Sequence, residues 1–402
     1  METLQPKLRF PDYSMNFKEN KISELTTYVD YRGKTPQKSE NGVFLVTAKN
    51  IKMGFIDYES SKEYVTIESY EEVMRRGKPL IGDVLITTEA PLGNVASIDN
   101  IDIALAQRVI KYRGEKNILD NSYLKYFFLS EYFQNVLLEK ATGGTVKGIK
   151  GSVLHRLTIK YPSFQEQTKI ASFLTAIDAK TKQLTQKKSL LEEYKKGIMQ
   201  KIFSQELRFK DDNGKDFEDW EEKKLGEIGQ IVSGLTYSPN DIDENGILVL
   251  RSSNVQNRRL VYNDNVFVNA KTFNPVIEND ILICVRNGSK NLIGKNALID
   301  NDSVGFAFGA FMTVYRSDFN RYLIHWFDTN DYKKIVETNL GATINSINGS
   351  DLKKFIVPFP SLKEQTKIAN FLSAIDDKIN QVSTQLEQTT QYKKGLLQKM
   401  FV

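Results

Sequence analysis

From Ile170 onward, apolar residues return every seven positions, at Ile170, Ile177, Leu184, Leu191 and Ile198, with Lys, Gln, Thr, Glu and Asp between them. The pattern recurs near the C-terminus at Ile368, Ile375, Val382 and Leu396, with Thr389 as a polar break. A second row flanks each seam: Phe173, Leu174 and Tyr194, then Phe371, Leu372, Ile379, Leu386, Tyr392 and Met400. Pro162-Ser163-x-x-Glu166 and Pro360-Ser361-x-x-Glu364 open the two runs. Each reads as a strand-to-helix corner followed by a capping box. No proline interrupts either run, and Gly197 and Gly395 fall near the ends, where glycine costs only about 1 kcal/mol. The pattern predicts two helices of up to roughly 40 residues, about 60 Å each. Packing on a neighbouring globular domain would cover part of such a seam. A period-seven repeat of this length fits better with the two helices pairing as a coiled coil.

The remaining sequence has a different rhythm. Residues 17–160 and 217–358 carry short β-like runs between turn signals: GVFLVTAKNI, GDVLITT, NVASID and RVIKYRG, then GILVLRSSNV, NDILICV, NALID and FMTVYRS. One amphipathic helix is predicted in each part, Asn121 to Lys140 and Phe319 to Asn339. Each part reads as a compact α+β domain of about 150 residues.

The chain is written twice. PSFQEQTKIASFLTAIDAK begins at Pro162 and PSLKEQTKIANFLSAIDDK at Pro360, a shift of 198 positions. Without a gap, the match runs from Gly143/Gly341 to Phe203/Phe401, with about 28 of roughly 61 positions identical. Weaker echoes lie outside it. Leu8-Arg9-Phe10 answers Leu207-Arg208-Phe209, Gly82-Asp83-Val84-Leu85-Ile86 answers Asn279-Asp280-Ile281-Leu282-Ile283, and Tyr112-Arg113 answers Tyr315-Arg316. Two long repeats, each a variable part followed by a nearly constant one, predict a pseudo-dimer within one chain. The expected fold is α+β, with two globular domains related by a pseudo-two-fold axis and joined by two long antiparallel helices. The expected segments are 1–161 and 204–359 for the globular domains, with 162–203 and 360–402 for the helices.

Bulk properties narrow this little. At 402 residues the chain exceeds one ordinary core, and 40% apolar with 26% charged residues is unexceptional. A net charge of +5 only weakly favours a polyanionic partner. Cys284 stands alone, which excludes an intrachain disulfide and a cysteine-built zinc site. No apolar run approaches a membrane span and METLQPKLRF is no signal peptide, so a cytoplasmic protein without membrane contact is expected.

Candidate chemistry lies in polar loop clusters between the strands. In the first copy they hold Lys34, Thr35, Lys49, Asn50, Thr87, Thr88, Gln107, Arg108, Thr145 and Lys147. In the second they hold Tyr237, Ser238, Arg251, Ser252, Asn254, Arg286, Asn287, Lys290, Asn291, Thr343 and Asn345. These side-chain types read base edges and phosphates, and they recur at matching places with different identities. Gly143-Gly144-Thr145 could hold a phosphate or serve as a hinge. Catalytic patterns are missing: there is no Asn/Asp/Ser-Pro-Pro-aromatic stretch for amino methylation, no Walker A loop and no GxGxxG opening a helix. His155 and His325 fall in unrelated contexts, and the acidic stretch Asp211 to Glu222 reads as a solvated linker.

The twice-written Pro-Ser-x-x-Glu-Gln-x-Lys-Ile-Ala-x-Phe-Leu-x-x-Ile-Asp and Tyr-Lys-Lys-Gly-x-x-Gln-Lys-x-Phe, with the strand-end patterns Leu45-Val46-Thr47-x-x-Asn50 and Val249-Leu250-Arg251-x-x-Asn254 in the variable parts, carry a resemblance. Over essentially its whole length the chain resembles the specificity subunit of type I restriction–modification systems. The resemblance implies two target-recognition domains, each reading one half of a bipartite, asymmetric site in double-stranded DNA, with the helices as a ruler for the gap. It implies no catalysis by this chain and no cofactor on it. Two methylation subunits would carry S-adenosylmethionine, and a restriction subunit, translocase and nuclease, would use ATP and Mg. The outer face of the helices would dock the methylation subunits. The competing readings are a protein-binding scaffold with two adhesive domains on a helical rod, which predicts no salt-dependent DNA affinity, and an unrecognised free-standing nuclease or methyltransferase, which predicts activity of the chain alone.

Overall fold

The computed structural model describes residues 5–31, 36–340 and 345–401. The chain divides into two compact units, Met1–Gln186 with Ser383–Val402, and Lys187–Val382. Each unit thus combines a variable part with stretches of both long helices.

The first unit contains strands β1 (Lys18–Lys21), β2 (Thr26–Asp30), β3 (Val43–Val46), β4 (Tyr64–Val65), β5 (Val84–Thr88), β6 (Leu92–Ser97), β7 (Ile103–Leu105), β8 (Val109–Gly114) and β9 (Thr158–Tyr161). An antiparallel sheet has the order β2-β8-β5-β6. A second sheet has the order β4-β3-β7, with β3 and β7 parallel. β1 pairs with β9. All five residues of β5 are buried because both of its faces are covered. Val84 and Ile86 point into one core, shared with the helices, and Leu85 into the other, shared with Leu45, Val46 and Leu105.

The helix expected over Asn121 to Lys140 is two helices, α1 (Asn121–Leu129) and α2 (Glu131–Lys140). Ser130 makes the break: its hydroxyl donates to the Phe127 carbonyl at 2.6 Å and accepts from the Phe133 amide at 3.2 Å, capping the second helix. The constant helix α3 runs over Phe164–Phe203, 40 residues.

The second unit repeats this plan. Its strands are β10 (Glu221–Lys224), β11 (Gln230–Ser233), β12 (Ile242–Leu250), β13 (Val255–Gln256), β14 (Arg259–Leu260), β15 (Phe267–Val268), β16 (Ile281–Cys284), β17 (Asn296–Leu298), β18 (Ala307–Phe308), β19 (Met312–Arg316) and β20 (Ile356–Phe359). The sheets β11-β19-β16-β17 and β15-β12-β18 match those of the first unit strand for strand. Helices α4 (Asn320–Trp326) and α5 (Asn330–Thr338) are separated at Thr329, which caps the second as Ser130 does. The last helix, α6, spans Leu362–Lys399.

Within each unit the stretches of the two long helices run antiparallel, the start of one lying with the end of the other. In the first unit Ile170, Leu174 and Ile177 of α3 share a core with Leu396, Met400 and Phe401. In the second, Ile368, Leu372 and Ile375 of α6 share one with Met199 and Ile202 of α3. The repeat-related Asp178 and Asp376 take equivalent cations, Lys393 and Lys195 respectively.

The constant motifs have structural roles. Ser163 and Ser361 cap their helices at 3.4 Å from the Glu166 and Glu364 amides. The glutamates do not reach back as a capping box requires. Their buried carboxylates grip arginine instead: Arg9 on Glu166 at 2.7 Å through both Nε and Nη2, and Arg208 on Glu364 at 3.3 and 2.9 Å. Phe10 and Phe209, the next residues, meet Phe173 and Phe371 edge-on at 5.7 and 5.6 Å. The Asp211 to Glu222 stretch is not a free linker. Asp212 pairs with Lys367 at 2.7 Å, and the Trp220 indole donates to Glu364 at 2.9 Å.

Where each variable part meets α3 and α6, the units use different residues. Tyr126 donates to Asp178 at 2.7 Å and lies 3.1 Å from the Thr175 hydroxyl. Its counterpart is His325, 3.3 Å from Ser373, with Nδ1 3.9 Å from Asp376. Asp376 is held by Lys195 at 2.6 Å. Lys195 and Arg258 share Asp328, at 3.5 and 2.9 Å. Burial first, then the charges of Lys195 and Arg258, hold the imidazole well below its usual pKa.

Two outcomes follow. Phe401, buried against Tyr123 and Phe127, should cost about 3 to 5 kcal/mol of stability as Phe401→Ala, read by denaturant unfolding. A histidine kept neutral when folded binds its proton more readily unfolded, so its contribution is present above about pH 6.5 and lost as pH falls below that. H325Y, which installs the residue of the other copy, should flatten the fall in melting temperature between about pH 6.5 and 5.

Candidate nucleic-acid interface

In the second unit four loops converge beyond the end of β16. Asn287 of the β16 exit donates from Nδ2 to the Ser252 hydroxyl at 3.0 Å, and its amide donates to the Asn345 carbonyl at 3.3 Å. Asn345 in turn donates to the Gly288 carbonyl at 3.1 Å. Arg286 bridges to Ser346 and lies over the Phe311 ring, 5.8 Å from its centre. Arg286, Lys290 and Asn291 are exposed on this surface, with Ser252, Asn287 and Asn345 half-buried. Arg251 is tied to Asp264 at 2.8 Å and Lys295 to the Ser252 carbonyl at 3.2 Å, so both brace the loop. Tyr237 packs on the core of the second sheet, and Ser238 bonds Asp241 to begin a single helical turn.

The first unit builds the same surface from different residues. Arg108, half-exposed and at φ +70°, pairs with Glu89 at 2.6 Å beyond the end of β5. Gly148 bridges to both Glu89 and Thr142 and closes the loop that exposes Thr145 and Lys147. Gly143 takes φ +114° there, and a Cβ would lie 2.3 Å from the Val146 carbonyl oxygen, so glycine is required for closure. Lys49 is exposed and Gln107 half-buried.

Four expected site residues lie inside the fold. Asn50 is fully buried; its side chain accepts from the Thr47 amide at 3.0 Å and donates to the Asp57 and Ser61 carbonyls. Asn254 does the same with the Arg251 amide and the Val261 carbonyl. Both staple a loop from within, which leaves no amide group to face a base. Thr87 and Thr88 are buried in β5, bonded to Asn94 and Arg108. Lys34, Thr35 and Thr343 lie outside the described residues.

Other surface residues were not foreseen. Phe311 is 57% exposed, and Phe55 and Met53 lie bare in the loop between the paired Ile51 and Ile56. Phe311 was hidden in the strand run FMTVYRS, yet it stands where the first copy has Arg108, and aligning the repeats would have revealed it. The two histidines are far apart in role. His155 lies 2.7 Å from the Tyr112 hydroxyl at the core edge of the first unit, and His325 belongs to the second.

The family model of the type I restriction modification DNA specificity domain matches the chain twice, over residues 15–193 and 217–390. The chain is similar to the type I restriction enzyme MjaVIII specificity subunit of Methanocaldococcus jannaschii, 25% identical over 309 residues, 73% of this chain and 72% of that one. It is 28% identical over 198 residues to the EcoKI specificity subunit of Escherichia coli, covering 46% and 42%. The crystal structure of the type I restriction–modification S subunit from M. genitalium matches the fold over 99% of both chains, with a TM-score of 0.65 at 17% identity. No helix among the described residues is long and apolar enough to cross a membrane. With two matches that together span most of its length, each centred on one copy of the repeat, the chain belongs to the family of type I restriction–modification DNA specificity subunits.

Proposed function

We propose that this chain reads the two halves of a bipartite, asymmetric sequence in double-stranded DNA, one half per unit, and positions the methylation and restriction subunits of a type I complex on it. The observation that carries this reading is one backbone frame made twice, with loops at the same end of the frame presenting different side chains. Unlike readers on like frames require an asymmetric target. Arg286 and Lys290 in one unit and Lys49, Arg108 and Lys147 in the other supply phosphate and base-edge donors.

The chain itself contributes binding and positioning. The proposed chemistry belongs to its partners: amino methylation from S-adenosylmethionine by two methylation subunits, on an adenine turned out of the helix, and ATP- and Mg-dependent cleavage by the restriction subunit. Tyr194 and Tyr392, repeat-related and 51% and 56% exposed, give each unit one equivalent aromatic contact on the long helices. Two copies of one partner would use such a pair.

Methylation should be mapped at single-base resolution in cells carrying the methylation partner with and without this chain. Two short specified halves around a fixed gap should appear only with it. Absence of any new motif, together with DNA binding that is insensitive to salt, would favour a protein-binding scaffold. In the assembled complex, Lys290→Ala should weaken binding to all sequences alike and lower the slope of log affinity against log salt by about 1.

A further inference from the structure

We propose that Glu89–Arg108 and Arg286–Phe311 are the equivalent base-reading pairs of the two units, and that Arg286 reads a guanine. This rests on the DNA-reading function above. The equivalence is fixed by the backbone. The Thr88 amide donates to the Arg108 carbonyl at 2.9 Å, and the Val285 amide to the Phe311 carbonyl at 3.0 Å. The Ile149 amide donates to Thr88 and the Ile347 amide to Val285, both at 2.9 Å. The residues that follow, Glu89 and Arg286, therefore occupy one position, and Arg108 and Phe311 the other.

On this shared frame the chemistry is exchanged. In the first unit the guanidinium stands at the second position and is paired with a carboxylate at the first. In the second unit the guanidinium stands at the first position, over an exposed phenyl ring. A phenyl group 57% exposed contributes little to the core beneath it. As a platform beneath the guanidinium it leaves a fork of donors for the O6 and N7 acceptors of guanine. Asn287 and Asn345 brace the loop behind it, so its backbone is already ordered. Glu89 has the opposite preference. A carboxylate repels those acceptors and accepts from the amino group of cytosine, with Arg108 orienting it. The same position in the two half-sites is thereby read with opposite polarity. An exposed ion pair contributes little to folding, so these side chains can be changed without losing the frame.

The test uses the assembled methyltransferase complex with the full-length chain. Wild type, R286A, R286K and E89Q are compared by thermal unfolding, by single-base methylation mapping and by competition with duplexes carrying each base at each position. R286A should lose discrimination at one base pair of one half-site, on the order of tenfold to a hundredfold, with every other position unchanged. R286K should be intermediate, and E89Q should alter one base pair in the other half only. If methylation by R286A is too slow to map, the competition series reads the same discrimination. Wild-type discrimination at every position in R286A overturns the assignment. A wild-type complex that writes no motif overturns the underlying function instead.

Discussion

Each long helix carries an apolar seam that its own copy of the repeat covers only in part. The seam of α3 at Ile170, Leu174 and Ile177 is completed by Leu396, Met400 and Phe401 from the far end of the chain. Burial of each such side chain is worth about 1.5 to 3 kcal/mol, so the contact is a large share of what a domain of this size has to spare. The first unit is therefore not a contiguous length of sequence. Its core is closed by the last 20 residues of the chain, and the second unit's by the end of the first copy's helix.

The constant residues make this closure specific. A buried carboxylate without a cation costs several kcal/mol, and Glu166 and Glu364 each find one from a distant segment, while the half-buried Asp178 and Asp376 are paired in the same way. Arg9 and Arg208 bring the segments that precede each variable part onto the head of the adjoining helix, with Phe10 and Phe209 beside them. With the helices held by these pairs, β5 and β16 by their sheets and the loops by the buried Asn50 and Asn254, the exposed side chains at the strand ends contribute little to the fold. Recognition can vary there while the frame persists. That division accounts for a second half of each repeat that stays recognisably alike in the two copies while the first half diverges.

Much of this was legible in the sequence, because period seven, period two and a repeat without gaps are strong signals. The long helices, the α+β class and the strand runs were all visible. Less legible were features in which a polar residue turns inward. Ser130 and Thr329 look like surface residues of one amphipathic helix and instead break it. Asn50 and Asn254 sit in loops of reading-type residues, yet four-sided hydrogen bonding places them in the interior. Glu166 matched a capping box in spacing, but its partner lies 157 residues away, beyond what a local motif can express. At the loop surface, the pairing of Arg286 with Phe311 depends on two strands separated in sequence, so composition alone could not join them.

The most direct test of two separate readers on one frame is to replace residues 217–358 with the corresponding segment of a relative and map methylation in the assembled complex. The account predicts that one half of the motif is exchanged for the relative's, while the other half and the length of the gap are retained. Exchange of both halves, or of neither, would contradict it.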